Sequence, residues 1–518
     1  MPTYAAPGVY VEEVSSGSKP LSGVATAIAA FVGFTAGAPS DDPSDPDGLK
    51  PRLVTSWQQY ETLYGGFAPG CVLPLSVFGF FQNGGTTAYI VRIPNTTPAG
   101  KPATKALPAA DRALGSPVSV TSKEADADIT ISVVPEEGDG GEAPRPFTIN
   151  VVERGEVVES YNGLTLDNAA TQTATSERIE VAVDLAKGVD MSALIDVMKP
   201  GAYPLEKAAP TPTPVTGPQF AGSESARTGI NGLAIAEDVT MVIVPDLVTA
   251  CTKDDGSIDL GLWKAVQTTL ITHCEQQANR VAVLDSPPGM TAQQIKEWRS
   301  DVAMYDSAFA ALYYPWITVE NPIGQNGDRE VTIPPSGHVA GLWARVDESR
   351  GVWKAPANEV LQGVLDVELG ISQGEQALLN PIGINCIRPF GTRGIRVWGA
   401  RTLTSDPEWR YLNVRRLFNM VETAIMDGTQ WVVFEPNEQR TWGSVNRNIT
   451  AFLTDLWRQG ALFGATADEA FFVRCDETTN PPEARDQGRL TCEIGIAPVK
   501  PAEFVVFRVS QYQPEAGE

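Results

Sequence analysis

The sequence predicts an α/β (α+β) protein. A mixed-sheet core domain carries extended N- and C-terminal β arms and a mostly β inserted domain. Three observations predict it. From about residue 239, apolar strand-length runs alternate with helix-length stretches, the order that builds a parallel or mixed sheet with covering helices. Between 94 and 224 the composition shifts to Pro, Thr, Ala and acidic residues with short alternating runs. At both ends a β-type segment stands behind Pro/Gly linkers. The 518 residues exceed the roughly 250–300 at which one core stops growing, so more than one domain is expected.

The elements follow in order. Residues 1–22 are an arm and linker: Val9, Tyr10, Val11, Glu12, Glu13 and Val14 form a strand behind Pro7-Gly8, and Ser15 to Ser22 is polar. Residues 23–93 open the core. Val24 to Thr35 is a buried strand, Ser56 to Tyr64 and Leu73 to Gln82 are helices, and Ala88 to Ile93 is a strand. Asp41 to Gly48 is an acidic loop that lacks the ligand spacing of a calcium loop. Residues 94–224 are the inserted domain, with strands starting at Ile129 and Phe147. Pro204 to Pro218 is its semi-rigid return linker. Residues 225–375 read as strand Val239–Val244, helix Leu260–Gln277, strand Arg280–Asp285, a helix capped by Thr291 and running to about Met304, and strand Ala308–Val319. Residues 376–500 hold helices Asn413–Met426 and Ser444–Trp457, with Trp431–Glu435 a strand between them. Strands Phe471–Cys475 and Leu490–Ile496 follow. Residues 501–518 are a second arm. In it Val505, Phe507 and Val509 share one face, and Phe504, Val506 and Tyr512 the other, with Arg508 among them. A strand apolar on both faces needs a partner.

Composition narrows the function. Lys plus Arg is 39 and Asp plus Glu 63, a formal charge of −24. Such a surface repels phosphate backbones and anionic membranes. No run reaches the ~18 apolar residues of a membrane span, and the N-terminus lacks a secretory signal pattern. The six cysteines form no C-x-x-C, and His273 and His338 are the two histidines. No Walker A loop, dinucleotide-binding glycine motif or nucleophile elbow is present. Ser336 lies two residues from His338 but reads as a demanding turn. His273 and Cys274 have no ligand partner at helical spacing. Asp246 and Asp285 sit at strand C-termini, where α/β enzymes place acids and where helix caps also fall. Trp398, Trp409, Trp431, Trp442 and Trp457 fit a carbohydrate-stacking surface or core packing. Arginine concentrates late in the chain: Arg388, Arg393, Arg396, Arg401, Arg410, Arg415, Arg416, Arg440, Arg447 and Arg458. These suit carboxylate pairing within or between chains, an acidic partner, or solvated helix faces.

Several segments together carry a resemblance. They are Pro7 to Glu13; Asn83-Gly84-Gly85 with Ala88 to Arg92; Pro334-Pro335-Ser336-Gly337-His338-Val339-Ala340-Gly341; Val352 to Asn358; Leu379 to Asn385; Ile395 to Thr402; and Phe434-Glu435-Pro436-Asn437. In this order the sequence resembles the contractile tail sheath proteins of bacteriophages and phage-tail-like injection particles, over about 1–93 and 225–512. The resemblance implies a structural subunit, not an enzyme, with no cofactor, metal or catalytic residue. It implies a homo-oligomeric helical sheath of six-fold rings around an inner tube, bounded by baseplate and terminator proteins. It implies no nucleic acid and no direct membrane insertion. Terminal strands would be exchanged between neighbours, and a metastable extended sheath would contract. Assembly would be cytoplasmic, in a virion tail or tail-like particle. Arg447, Asn448 and Arg458 would face the tube. Two other classes stay open on the residues: an α/β enzyme using Asp246, Asp285 or Ser336, and a tail-associated protein whose 94–224 domain binds carbohydrate.

Overall fold

The computed structural model describes residues 21–508 except 22, 40–44, 46–47, 95, 98–103, 109–116, 124–128, 137–144, 154–155, 184–197, 206–210, 213–214 and 325–328. The chain divides into two compact units, one of residues 94–214 and one of the remainder.

The larger unit is organised by a nine-stranded sheet. Its strands are β1 (Ile28–Gly33), β2 (Arg52–Val54), β3 (Thr87–Arg92), β4 (Met241–Ile243), β5 (Val281–Asp285), β6 (Ala310–Tyr314), β7 (Glu359–Val360), β8 (Ile384–Pro389) and β9 (Ile395–Val397). Their spatial order is β7-β9-β8-β6-β5-β4-β1-β3-β2. The middle pairings are parallel, with Ala29 opposite both Ala88 and Met241, and antiparallel strands close the two edges. Parallel strands covered on both faces read as continuous apolar runs, and these do. Ala30 and Val32 of β1 join one core cluster, with Trp263, Leu270 and Cys274 of helix α3 (Leu260–Gln277). Ala29 and Phe31 join the opposite one, with α1 (Trp57–Tyr64), α2 (Leu73–Gln82) and α4 (Ser336–Arg350).

Local chemistry sets the helix ends. Ser56 accepts from the Gln59 N–H to start α1, and Gly65 ends it in the left-handed region. The Asp259 carboxylate accepts from the Gly261 and Leu262 N–H groups to start α3. The α2–α4 contact has a different requirement, because small residues let the backbones touch. A Cβ on Gly79 would lie 2.1 Å from the His338 ring, one on Gly337 2.4 Å from the Ser76 carbonyl, and one on Gly341 2.3 Å from the Phe80 carbonyl.

Two antiparallel sheets make up most of the smaller unit, and Thr96–Thr97 pairs with Thr211–Pro212 in a short third one. Of the larger two, one joins Thr104–Leu107, Val118–Ser122 and Ile179–Val183. The other joins Gly201–Pro204, Ile129–Pro135, Phe147–Glu153 and Glu156–Leu164. Alternating residues such as Val118, Val120, Ile131, Ile149 and Val151 turn into one shared core.

Three expectations are corrected. Trp431–Glu435 is not a strand: Gln430–Val432 is a 3-10 turn, and Phe434 takes a left-handed φ of 69°. Trp431 and Val432 pack partly on the helical core, while Val433 and Phe434 point to solvent. Ala308–Val319 is not continuous. It breaks after Tyr314, and Ile317–Glu320 joins a separate three-stranded antiparallel sheet. Ser336 opens a fifteen-residue helix rather than a turn. Pro334, Pro335 and two glycines suggested a break. Pro335 instead sits at the cap, where no N–H is needed, and the glycines serve contact. The arm residues Val9 to Val14 and Val509 lie outside the described residues.

Gly341→Ala is expected to cost about 1–3 kcal/mol through overpacking of α4 against α2. Urea denaturation measures this, and an unchanged midpoint would refute the close contact.

Candidate functional site: an assembly interface

The strand-end carboxylates come first, because the enzyme reading depends on them. Both are buried. Asp246 follows β4, next to β1, where the sheet order reverses and α/β proteins bind ligands. Its carboxylate accepts from the backbone N–H groups of Phe34 (2.7 Å), Leu73 (3.1 Å) and Val72. It therefore caps α2 and fills the crevice with the chain's own backbone. Asp285 ends β5 and does the same for α4, accepting from Ser336 N–H at 3.0 Å and Ser336 Oγ at 2.5 Å. The structure thus brings Asp285 and Ser336 together, but as a cap. The void beside Asp285 holds about 10 Å³, the scale of one water. Burial pushes both carboxyls up to about 7, against the hydrogen bonds that favour their charged forms.

Neither histidine joins them. His338 is buried against Gly79, and His273 lies 3.3 Å from the Arg280 guanidinium. Burial lowers both rings to about 4. The tryptophans are dispersed too: Trp442 is buried in the helical core, Trp398 packs on Phe390, and Trp409 packs on Phe418. Asp45 accepts from the Leu49 and Lys50 N–H groups. Among the described residues no cluster of His, Cys, Asp or Glu could hold a metal, and no helix is long and apolar enough to cross a membrane.

Many of the arginines have internal work. Arg416 of α5 (Leu412–Gly428) forms a two-point pair with Asp347 of α4, and both side chains are 3% exposed. The same guanidinium donates to the Thr26 carbonyl at 3.0 Å and lies over Trp343. Helix α5 is thereby tied to the sheet. Arg415 pairs with Glu422 and stacks on Trp409 and Phe309.

Helix α6 (Gln439–Arg458) packs its apolar face, Val445, Ile449 and Leu453, against α5 and a hairpin of β10 (Phe471–Arg474) and β11 (Glu493–Ile496). Its outward stripe carries Arg440, Arg447 and Arg458. Arg447 donates to Ser444 Oγ, Arg458 makes an exposed pair with Asp455, and Asn448 is half-buried.

The hairpin is the exposed feature. Phe471 pairs with Ile496 and Arg474 with Glu493. The Ala497 N–H bonds the Ala470 carbonyl, so ladder alternation turns the backbone groups of Phe471, Val473, Ile494 and Ile496 outward. Asn446 takes the Val473 carbonyl at 3.1 Å. Among the described residues no strand pairs with the outer edge of β11. Gly495 leaves room there for the Phe472 ring, which lies 2.2 Å from where a Cβ would stand.

Beyond β11 the chain is stitched down. Phe463 N–H bonds the Ala497 carbonyl, Val499 N–H the Ala461 carbonyl, and Asn413 donates to Val499. Glu503 then accepts from Arg401 at 2.6 and 2.9 Å, from Asn380 at 2.7 Å and from the Tyr411 hydroxyl. Burial alone would raise the Glu503 carboxyl, but the Arg401 and Asn380 hydrogen bonds outweigh it and hold it below the usual range. Phe504, Val505, Val506 and Phe507 follow at once with no ladder, 66–84% exposed. Sequence reasoning found the arm but missed its anchor and the open edge. The lone acid before an apolar run was the available signal.

Comparison with known proteins decides the family. Residues 232–403 match the phage tail sheath protein central domain, and 404–511 match the phage tail sheath C-terminal domain. The chain belongs to the phage tail sheath family. That family is structural rather than enzymatic, which overturns the enzyme reading of Asp246, Asp285 and Ser336. The tail sheath protein of Vibrio phage KVP40 is 27% identical over 311 residues, 55% of this chain and 45% of that one. The match therefore spans about half that relative's length. The tail sheath protein of Burkholderia phage BcepMu is 27% identical over 66% of this chain and 72% of its own. Among solved structures, the helical sheath of the anti-feeding prophage in its contracted state is 26% identical. It covers 98% of this chain and all of that one, with a TM-score of 0.59. The contracted PVC sheath complex of an extracellular contractile injection system is 25% identical over 99% of both chains, with a TM-score of 0.56.

Two outcomes test this chemistry. Asp347→Asn strands a buried guanidinium in this sheath-family chain and is expected to cost about 3–5 kcal/mol by chemical denaturation. For Asp285, the folded carboxyl at about 7 lies above its ordinary 3.8. The folded chain therefore keeps a proton that the unfolded chain has lost between those values. Its contribution to stability is full below about pH 4 and falls as pH rises through 7. Asp285→Asn removes that slope, so the variant should gain on wild type by about 1 kcal/mol or more between pH 5 and pH 8. Parallel curves for the two proteins would refute it.

Proposed function

We propose that the chain is the subunit of a contractile sheath, polymerised by strand exchange between neighbours. One observation carries the reading: an open hairpin edge and an unpaired apolar strand segment stand on the same chain, and neither can satisfy the other's role alone. A strand added to β11 would pair the outward backbone groups of Ile494 and Ile496. At roughly 0.5–1.5 kcal/mol net per hydrogen bond, one added strand contributes a few kcal/mol per junction. Apolar contact from Phe504 to Phe507 adds to it. Many such junctions would hold the lattice together while subunits rotate. The N-terminal strand Val9 to Val14 and the end of the C-terminal strand, Arg508 and Val509, are assigned to the same exchanged sheet.

The subunits would stack as six-fold rings around an inner tube, with baseplate and terminator proteins at the ends. The tube would meet the outward stripe of α6, where Arg447, Asn448 and Arg458 lie. A cationic stripe spanning about 27 Å of helix suits an acidic surface. Energy would be stored at assembly as an extended lattice and released by contraction, without a nucleotide site. The particle would assemble in the producing cell's cytoplasm and act as a virion tail or tail-like injection device. The 94–214 unit would be the variable outer part.

Electron microscopy of the purified chain tests this. Hollow striated cylinders are expected. Removal of 504–518, which keeps the Glu503 anchor of Arg401, or of 1–14 should leave folded, unpolymerised subunits. Ile494→Pro removes one outward N–H while keeping the hairpin's own bonds, and should likewise abolish cylinders, with a modest fall in melting because Ile494 also packs on the helical core. Wild-type cylinders from all three variants would overturn strand exchange.

A further inference from the structure

The end of the β10–β11 hairpin holds two cysteines that the assembly reading does not use. Arg474 pairs with Glu493, so one further step places Cys475 opposite Cys492. The alternation set by Ala470 and Ala497 makes this a non-hydrogen-bonded position. There facing Cα atoms stand about 4.5 Å apart, inside the roughly 4.4–6.8 Å span of a disulfide. Both cysteines are free, and each thiol lies close enough to perturb the other.

The pair is held from both sides. The ladder closes one side. On the other, the fully buried Asn480 accepts from the Thr491 N–H at 2.6 Å and donates to the Thr491 carbonyl at 2.9 Å. The same amide donates to the Asp476 carbonyl at 3.1 Å. Asn480 thus bridges the residues next to each cysteine and holds the two backbones at strand separation. Cys475 is buried, and Cys492 is half-buried.

We propose that Cys475 and Cys492 form a reversible disulfide that clasps the base of the 476–491 loop and locks the hairpin proposed to accept the exchanged strand. The oxidant is a low-molecular-weight disulfide such as oxidised glutathione. Cys492, the accessible sulfur, attacks as thiolate and gives a mixed disulfide plus one glutathione thiol. Cys475 attacks the Cys492 sulfur and expels the second glutathione. Two protein thiols and one glutathione disulfide become one protein disulfide and two glutathione thiols. Burial raises both protein thiols, Cys492 to about 12, so thiolate is scarce and the clasp closes slowly. That suits a structural latch set after a particle leaves a reducing compartment, not a redox catalyst. The bridge is a property of the folded subunit and stands apart from whether it polymerises.

The test incubates the full-length chain in glutathione buffers of graded oxidation, quenches with an alkylating agent and maps the peptides. The expected product is a single linkage between the Cys475 and Cys492 peptides, a loss of two hydrogens in intact mass and reversal by reductant. Melting of the oxidised protein should rise by several degrees over the reduced protein. Cys492→Ser should remove the oxidant response, whereas Cys475→Ser, which lacks the resolving thiol, should stop at a mixed disulfide between Cys492 and glutathione. In the wild-type chain, free thiols after prolonged excess oxidant, a persistent glutathione adduct on Cys492, or a linkage to another cysteine would each overturn the proposal. The wild-type mapping reads the outcome even if either variant misfolds.

Discussion

Two carboxylates at the C-terminal edge of the central sheet hold the rest of the larger unit in place. Asp246 gathers the end of β1 and the start of α2, and Asp285 fixes the start of α4. With both helix N-termini pinned to one sheet edge, α2 and α4 must run side by side. Their glycines then let them touch. The price of this arrangement is two buried acids, each satisfied by backbone or hydroxyl donors. It also occupies the crevice that doubly wound sheets ordinarily leave open for ligands. In this chain the sheet is a rigid platform, and the same residues that make it rigid remove its binding site.

The C-terminal helices are attached to that platform by the Arg416–Asp347 pair and its Thr26 bridge. A buried ion pair adds little net stability over an apolar contact, but it punishes separation or misregister heavily. That property suits a joint that must keep one geometry under load. The charge pattern of the last third divides accordingly. Some arginines are structural rivets at internal joints, while Arg440 and Arg447 stay outward on α6.

Much of this was legible in the residues. The strand–helix alternation gave the sheet, and α2 and α3 match their expected limits at both ends, Leu73–Gln82 and Leu260–Gln277. The capping residue Thr291 announced its helix, and the Trp57, Tyr60 and Tyr64 spacing announced α1, with Ser56 its cap rather than its first residue. Where the reading failed, tertiary contact had overruled local propensity. The Pro-Pro-Ser-Gly run looked like a turn because local sequence does not reveal that Asp285 will cap Ser336 or that α2 will press on Gly337. Trp431 to Glu435 has strand-forming residues, but a 3-10 turn at Gln430–Val432 and a left-handed φ at Phe434 break the run. The arginine partners were invisible for the same reason: Asp347 is 69 residues from Arg416, and Glu503 is 102 from Arg401. The Asp246 and Asp285 positions were legible, but their role depends on which groups fold onto them.

The Glu503 anchor has a geometric consequence. Phe507 is only four positions beyond it, a reach of at most about 14 Å even when fully extended. In the proposed strand exchange the apolar segment would work as a short tether on a fixed post. A recipient edge for Phe504 to Phe507 would have to come within that radius of Glu503. A rearrangement of neighbouring copies that kept the link would then pivot about this post, turning rather than sliding apart. The ion pair would set a ruler for the spacing of joined copies.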